Sequence, residues 1–233
     1  MPRHLPFGNA PLSSRGLSRQ PVWDVPIRLV HWLLAGLIAF SWWSAETSHL
    51  DLHIWSGCAI LTLLIFRLLW GIFGSSTARF SSFVRGPAAV RDYLRGRWHG
   101  IGHTPLGALS ILALLGAVAV QVGLGLFAQD DDGLYTGPLY RFVSSDTSDS
   151  IRGIHKAWFN VVLALVALHI AAILFYRVVR GKRLTKAMIT GKAAVAPGSG
   201  TMRPGKWWVA LLCLGVALGI PRWVIAGLPP FGP

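Results

Sequence analysis

Five stretches of about 20 residues, almost free of charged side chains, limit what this chain can fold into. They cover residues 27–46, 52–73, 105–128, 154–176 and 207–227. A helix of about 20 apolar residues crosses the hydrocarbon core of a bilayer, and it bonds its backbone groups internally, as lipid requires. Only 13% of the residues are charged, whereas a soluble domain carries about a quarter. We therefore predict an all-α membrane protein with five transmembrane helices.

The Lys and Arg residues alternate between the connections, and this pattern predicts the orientation. Five of them lie in residues 75–103 and eight in residues 177–206, whereas residues 129–152 contain five Asp and two Arg. Cytoplasmic connections of membrane proteins are enriched in Lys and Arg. We therefore expect a cytoplasmic N-terminus and a periplasmic C-terminus. The same bias accounts for the net charge of +13, so we expect no nucleic-acid partner.

The segments between the spans divide the chain into four parts. Residues 1–21 are rich in Arg, Pro, Gly and Ser, which predicts a disordered basic cytoplasmic tail. We expect residues 22–192 to form the main transmembrane domain and residues 193–206 to form a linker. Residues 207–233 then add a fifth helix without histidine, interpreted as an anchor or dimer-contact helix, and the periplasmic C-terminus. The first apolar stretch lacks a small-residue cleavage site, so we expect it to be retained.

Four of the eight histidines lie within or at the ends of the first, second and fourth spans. Ionisable side chains are rare inside a bilayer and indicate function. His169 follows His155 by 14 residues, which places it about 21 Å further along one helix and within about 40° of the same face. Because successive spans run in opposite directions, His31 and His169 reach the cytoplasmic half, and His53 and His155 reach the periplasmic surface. The sequence thus predicts two histidine pairs at two depths.

Two neutral imidazoles facing each other across a helical bundle suit the iron of a heme. Zinc needs three or four ligands, and no Cys, Asp or Glu lies at either depth to complete such a set. Gly36 and Gly57, about one turn from the first two histidines, leave room for a flat macrocycle. We therefore predict two b-type hemes as cofactors. With both axial positions filled, electron transfer is favoured over oxygen chemistry.

Four cations lie near the predicted hemes. Arg28 and Arg67 are near the cytoplasmic pair, and Arg152 and Lys156 flank the periplasmic pair. They could contact heme propionates, or they could simply extend toward the membrane surface.

Two further histidines and an acidic connection leave alternatives open. His49 is a competing ligand candidate four residues before His53. His103 could contact the surface before the third helix, or take part in quinone proton chemistry because an imidazole titrates near neutral pH. The aspartates of residues 129–152 could be a solvated loop or a docking surface for a basic electron carrier.

The same residues resemble the family of bacterial cytochrome b561 and nickel–iron hydrogenase b-type cytochromes over residues 22–192. The resemblance lies in Arg28-Leu-Val-His31-Trp32, Leu52-His53-Ile-Trp55-Ser-Gly57, Phe66-Arg67-Leu-Leu-Trp70-Gly71, Ala78-Arg79-Phe80-Ser-Ser-Phe83-Val-Arg85-Gly86-Pro87, Gly102-His103-Thr-Pro105-Leu-Gly107, Ile154-His155-Lys156, Leu168-His169 and Met188-Ile-Thr190-Gly191. It implies a bacterial inner-membrane protein with a four-helix diheme core and the ligand pairs His31/His169 and His53/His155.

The resemblance also implies a function. Members of such a family transfer electrons between the membrane quinone pool and a periplasmic redox partner, which is a c-type cytochrome or a hydrogenase-like enzyme. One alternative is a quinone-linked oxidoreductase that acts by itself on superoxide or another small periplasmic oxidant or reductant. A second alternative is a non-redox membrane anchor, which would lack a b-type absorption spectrum.

Overall fold

The protein is described by a computed structural model over residues 18–97, 101–195 and 200–226. The helices are α1 (Val25–Glu46), α2 (Leu50–Phe73), α3 (Phe80–Phe83), α4 (Pro87–Leu94), α5 (Pro105–Gly125), α6 (Ser145–Val178), α7 (Leu184–Thr190) and α8 (Trp207–Ile225). The strands are β1 (Ser18–Pro21) and β2 (Lys192–Val195), and a 3₁₀ turn covers Tyr140–Phe142. Within these residues, α1, α2, α5, α6 and α8 are long and apolar enough to cross a membrane. The predicted all-α membrane fold with five spans is confirmed.

Local capping sequences determine where three of the long helices begin. The Asp24 carboxylate accepts a hydrogen bond from the Ile27 amide at 2.9 Å, and α1 has a proline in its first turn. The Thr104 hydroxyl accepts from the Gly107 amide at 3.1 Å before α5. Each cap satisfies an amide that has no partner within its helix.

Helix α6, the third of these, is longer than its apolar stretch. It has 34 residues, or about 51 Å at the usual rise, which exceeds the roughly 30 Å of a bilayer core. It begins at Ser145 because the Ser144 hydroxyl accepts from the Thr147 amide at 3.2 Å. Eight residues that the sequence placed in the acidic connection, 145–152, are therefore helical and extend α6 beyond its apolar stretch.

The long helices pack in the order α1–α2–α5–α6, with α8 against the outside of α2. One buried cluster joins α1, α2 and α8 through residues that include Ile27, Trp70 and Ala217. A second joins α2, α5 and α6 through residues that include Leu64, Val118 and Val162. Large apolar side chains such as Leu29, Leu168 and Leu211 face outward, as expected where the solvent is lipid.

Two short segments form structure that the sequence did not predict. β1 pairs antiparallel with β2, and Ser18 lies opposite Val195. Residues 18–21 were expected in a disordered tail and residues 193–195 in a linker, so these boundaries change. The amides of Val22 and Trp23 also donate to the Gly191 carbonyl at 2.8 and 3.0 Å, which ties the start of α1 to the end of α7. The rest of the tail prediction, residues 1–17, lies outside the described residues, as do residues 227–233.

The two ends of the bundle carry opposite charge. We call the end where α1, α5 and α8 begin the basic end, and the opposite end the acidic end. Seven of the nine carboxylates are at the acidic end: Glu46, Asp51, Asp130, Asp131, Asp132, Asp146 and Asp149. Among the described Lys and Arg, that end contains Arg141, Arg152, Lys156 and Arg222, and all others are at the basic end.

Candidate functional site

The structure brings the four histidines of the spans together as two opposed pairs. The rings of His31 on α1 and His169 on α6 have centroids 6.4 Å apart and an interplanar angle of 56°. The rings of His53 on α2 and His155 on α6 have centroids 6.0 Å apart and are nearly perpendicular, at 85°. Helix α6 thus contributes one imidazole to each pair, at two heights.

Both centroid distances suit one metal ion between two imidazoles. A ligating nitrogen lies about 2 Å from its metal, and the ring centre lies about 1 Å further away, which gives about 6 Å between two opposed rings. A direct N–H···N hydrogen bond, at about 2.9 Å between nitrogens, would bring the centroids to about 5 Å. The observed 6.4 and 6.0 Å fit metal ligation better than mutual hydrogen bonding.

At the acidic-end pair, backbone carbonyls determine which ring nitrogen carries hydrogen. His53 Nδ1 lies 2.8 Å from the Ser41 carbonyl oxygen and 3.1 Å from the Ser41 hydroxyl. His155 Nδ1 lies 3.0 Å from the Gln121 carbonyl oxygen. A carbonyl can only accept, so both Nδ1 atoms donate and each Nε2 keeps its lone pair. This is the state that a metal-ligating histidine requires.

The side chain of Gln121 marks the interior of the same site. Its Nε2 lies 3.1 Å from His155 Nε2, so the amide donates to the lone pair that a metal would accept. Its Oε1 is buried and has no hydrogen-bond partner among the described residues. The Gln121 amide nitrogen therefore lies where a metal ion bound to this imidazole would lie, and the oxygen of the same amide is unpaired within the described residues.

The basic-end pair has a different environment. Within residues 18–97, 101–195 and 200–226, neither His31 nor His169 forms a hydrogen bond through its ring. His31 instead meets the edge of Trp32, at a centroid distance of 5.1 Å. The two pairs therefore share a spacing but differ in how their rings are anchored.

The described side chains supply two imidazoles at each site and no larger ligand set. A Cβ atom added at Gly36 or Gly57 would meet nothing within 4 Å, so no described atom blocks a flat group from the backbone at these two positions. In the described part of the chain, no three His, Cys, Asp or Glu side chains converge on one point. Two imidazoles per site are therefore the ligand set that this part of the chain provides, which fits a heme iron and not a zinc ion.

Three of the four cations predicted to contact propionates have other partners in this structure. Arg152 forms an ion pair with Asp131 and lies 3.4 Å from Asp149. Lys156 Nζ also lies 3.4 Å from an oxygen of Asp131. The acidic connection thus binds both cations next to His155.

At the basic end, Arg67 is buried, with 6% of its surface exposed. Its Nη1 donates to the Ala78 carbonyl at 3.4 Å, and its guanidinium carbon lies 4.8 Å from the centre of the Phe80 ring. Arg28 packs against Gly191, and its Nε is buried without a partner among the described residues. Arg28 thus keeps a buried donor without a partner among the described residues.

The two remaining candidate histidines lie apart from both pairs. His49 immediately precedes α2, stacks on Trp43 at a centroid distance of 5.6 Å, and bonds Thr47 Oγ1 through Nδ1 at 2.9 Å. It is a structural residue of the turn between α1 and α2.

His103 is partly buried between Trp23 and Phe83, at centroid distances of 4.3 and 4.4 Å, and its Nδ1 atom is fully buried. This burial lowers the pKa of His103 to about 3, and the nearby Arg67 guanidinium adds to the effect. The ring therefore stays neutral at neutral pH. The suggestion that it exchanges protons near pH 7 is not supported by this environment.

Sequence reasoning did not identify Ser41 and Gln121 as site residues. Their contributions to the ring Nδ1 atoms come mainly from backbone carbonyls, which every residue has. The available signal was that both are polar residues inside apolar spans. Such residues usually have a specific partner in a membrane interior.

The fold and the site define the class: a multi-pass helical membrane protein with opposed imidazole pairs in its interior, which is the arrangement of a cytochrome b. The sequence model of the prokaryotic cytochrome b561 family matches residues 22–191, and the chain belongs to this family. No match was found among curated proteins or among solved structures. The resemblance seen in the sequence is confirmed. The family implies a bacterial membrane protein that binds b-type heme and transfers electrons.

Proposed function

We propose that this chain conducts electrons across the bacterial inner membrane through two b-type hemes, between the quinone pool and a periplasmic redox partner. One heme would be held by His31 and His169 and the other by His53 and His155. The observation that carries the proposal is the pair of ring distances, 6.4 and 6.0 Å, at two heights on one helix. A heme, when bound, supplies a one-electron couple whose potential depends on its ligands and surroundings.

The chain's own residues would determine what such a cofactor can do. The two imidazoles at each site would both serve as ligands of a heme iron and would leave no position for oxygen or another small substrate. The carbonyls of Ser41 and Gln121 hold the rings of His53 and His155 in one tautomer and orientation. These features favour electron transfer, and we propose residues 22–192 as the domain that performs it. Helix α8 adds a fifth span outside this domain.

The charge distribution supports one orientation. Because cytoplasmic surfaces are enriched in Lys and Arg, the basic end would face the cytoplasm and the acidic end the periplasm. This places the N-terminus in the cytoplasm and the C-terminus in the periplasm. The His31/His169 pair would then serve quinone exchange near the cytoplasmic side, and the His53/His155 pair would face the periplasmic partner.

The acidic end offers a surface for a basic partner. Asp130, Asp132 and Asp146 form no ion pair with any described residue, whereas Asp131 and Asp149 are engaged by Arg152. The connection is ordered by backbone bonds, which include Leu139 N to Leu126 O at 2.8 Å. We propose that a basic electron carrier such as a c-type cytochrome docks at this surface. Attraction between opposite charges would speed its approach.

The proposal is tested by the heme content of the purified protein and its variants, measured by optical spectroscopy at saturating heme. We expect two b-type hemes per chain in the parent protein. His31→Ala and His53→Ala should each retain one, with different spectra. His49→Ala, a matched control outside both pairs, should retain two. A colourless protein, or a His31→Ala variant that still binds two hemes, would contradict the proposal.

A further inference from the structure

We propose that the site between His53 and His155 has a lower reduction potential than the site between His31 and His169. An electron on the chain would then reside at the basic end. This inference rests on the proposed function, because it assumes one heme at each pair. Two independent features of the structure support it: the hydrogen bonds to the ligand rings and the charge at the two ends.

The ligand rings of the acidic-end pair donate to carbonyl oxygens, and within the described residues those of the basic-end pair do not. The bonds run from His53 Nδ1 to the Ser41 carbonyl at 2.8 Å and from His155 Nδ1 to the Gln121 carbonyl at 3.0 Å. A ring that donates through Nδ1 becomes a more basic ligand through Nε2. A more basic ligand stabilises the oxidised iron, so the potential of that site is lowered.

The carbonyl of Ser41 is well placed to keep its bond to His53. Ser41 is 8% exposed, so its carbonyl oxygen is shielded from water, and the oxygen also accepts a hydrogen bond from the buried Ser44 hydroxyl at 2.9 Å. The Ser41 hydroxyl adds a second acceptor at 3.1 Å from the same ring nitrogen. His53 is therefore held by two oxygens of one residue on the neighbouring helix.

The charges act in the same direction. Reduction removes one positive charge from the iron, so nearby cations favour the reduced state and nearby carboxylates favour the oxidised state. The basic end contains buried Arg67 and, one turn before His31, Arg28, while its carboxylates are Asp24 and Asp92. At the acidic end, Asp131 pairs with both Arg152 and Lys156 and neutralises the cations next to His155.

The order of potentials determines the favourable direction of transfer between the two sites. With a heme held at each pair, one electron would be lost at the His53/His155 site and gained at the His31/His169 site. No proton needs to accompany this step. In the proposed orientation, the favourable direction runs from the periplasmic partner toward the cytoplasmic side of the membrane.

The test is a potentiometric titration of the heme-loaded protein in lipid nanodiscs, followed optically. We expect two one-electron components. His31→Ala, which removes the basic-end ligand, should leave the component of lower potential. His169→Met provides a second assignment that keeps both axial positions filled: methionine ligation raises the potential of a heme, so only the higher component should move upward. The reverse order would overturn the inference.

Two conservative substitutions test the causes. Ser41→Ala removes the hydroxyl that lies 3.1 Å from His53 Nδ1 and keeps the backbone carbonyl. At a fixed potential, the ratio of reduced to oxidised heme in the lower component should rise by roughly two- to tenfold, where tenfold is about 59 mV. Ser56→Ala is the matched control, because the Ser56 hydroxyl donates at 2.9 Å to the backbone carbonyl of His53 and not to its ring. Asp131→Asn should also raise the lower component, whereas Asp92→Asn at the basic end should not.

The outcomes separate this inference from the proposed function. A protein with fewer than two hemes overturns both. A protein with two hemes in which the component of lower potential belongs to the His31/His169 site overturns the inference while the proposed function stands. If Ser41→Ala and Ser56→Ala leave the lower component equally unmoved, the Ser41 hydroxyl makes no contribution to the potential, and an unmoved Asp131→Asn variant excludes the contribution of that carboxylate.

Discussion

His155 donates its Nδ1 hydrogen to the backbone carbonyl of Gln121 at 3.0 Å, across the interface between α5 and α6. Helix α5 contributes no histidine to either pair, yet it determines how the acidic-end ring is turned. The same glutamine places its side-chain amide 3.1 Å from His155 Nε2. One residue thus both orients the imidazole and competes for its lone pair.

From this dual contact we predict that Gln121→Leu increases heme affinity at the acidic-end site. The backbone bond remains, while a side-chain hydrogen bond worth about 1 kcal/mol no longer has to be broken before ligation. The affinity should rise several-fold in a titration of the heme-free protein with heme. Gln129→Leu, which changes a glutamine outside the spans that bonds Ser145 and Asp149, should leave heme affinity unchanged. A loss of heme in Gln121→Leu would show that the amide supports ligation instead.

The buried position of His103 predicts a pH dependence of stability. Its pKa is about 3 in the folded protein and about 6.5 when unfolded, so the unfolded chain binds the proton more tightly. The contribution of neutral His103 to the free energy of unfolding is fully present above pH 6.5 and is lost as the pH falls toward 3. The slope is at most about 1.4 kcal/mol of unfolding free energy per pH unit.

The His103→Phe variant isolates this effect. Phenylalanine keeps the packing between Trp23 and Phe83 and cannot be protonated. Thermal unfolding followed by circular dichroism from pH 7 to pH 4 should show a smaller decrease in Tm for the variant than for the parent protein. Equal decreases in the two proteins would mean that His103 does not titrate in this way.

Gly191 is predicted to be sensitive to substitution because two constraints meet there. Its φ is +75°, a conformation that suits glycine, and an added Cβ would lie 2.7 Å from the Trp23 carbonyl oxygen. We expect Gly191→Ala to decrease the free energy of unfolding by about 1–3 kcal/mol. It should also weaken heme binding at the basic-end pair, because the amides at the start of α1 donate to the Gly191 carbonyl.

Gly181→Ala is the matched control for this prediction. Gly181 also has a positive φ, +63°, but an added Cβ there would meet nothing within 4 Å. Gly181→Ala should therefore decrease the free energy of unfolding by less than Gly191→Ala does in the same measurement. Equal losses in the two variants would assign the whole effect to backbone conformation and not to the contact with α1.

The proposed docking surface predicts a salt-dependent rate. The triple variant Asp130→Asn, Asp132→Asn and Asp146→Asn removes three carboxylates that have no ion-pair partner among the described residues. Stopped-flow mixing with a basic c-type cytochrome should show slower electron exchange at low ionic strength, by about tenfold. The difference should vanish at high salt, where the charges are screened. Asp92→Asn, at the opposite end, should not change the rate at any salt concentration.

Much of the fold could be predicted because a membrane limits the choices. Apolar length alone identified the five spans, and the 14-residue spacing of His155 and His169 placed them on one face of a helix. Because successive spans run in opposite directions, His31 was then expected at the depth of His169, and His53 at the depth of His155. These inferences use only the rise and period of a helix, which do not depend on tertiary detail.

Other features depended on contacts that no local pattern encodes. The pairing of residues 18–21 with 192–195 joins segments far apart in sequence, and it uses backbone groups that any residues could supply. The burial of His103 requires Trp23 and Phe83 to meet around it. The partner of Arg152 could have been a propionate or a carboxylate, and the folded acidic connection provides Asp131.

Helix α6 supplies one imidazole to each pair, so the position and rotation of this one helix affect both sites. Binding of the first heme would fix α6 against α1 or α2. Binding of the second heme would then cost less conformational entropy. Assembly of the holoprotein should therefore be cooperative, with partially loaded chains scarce at intermediate heme concentrations.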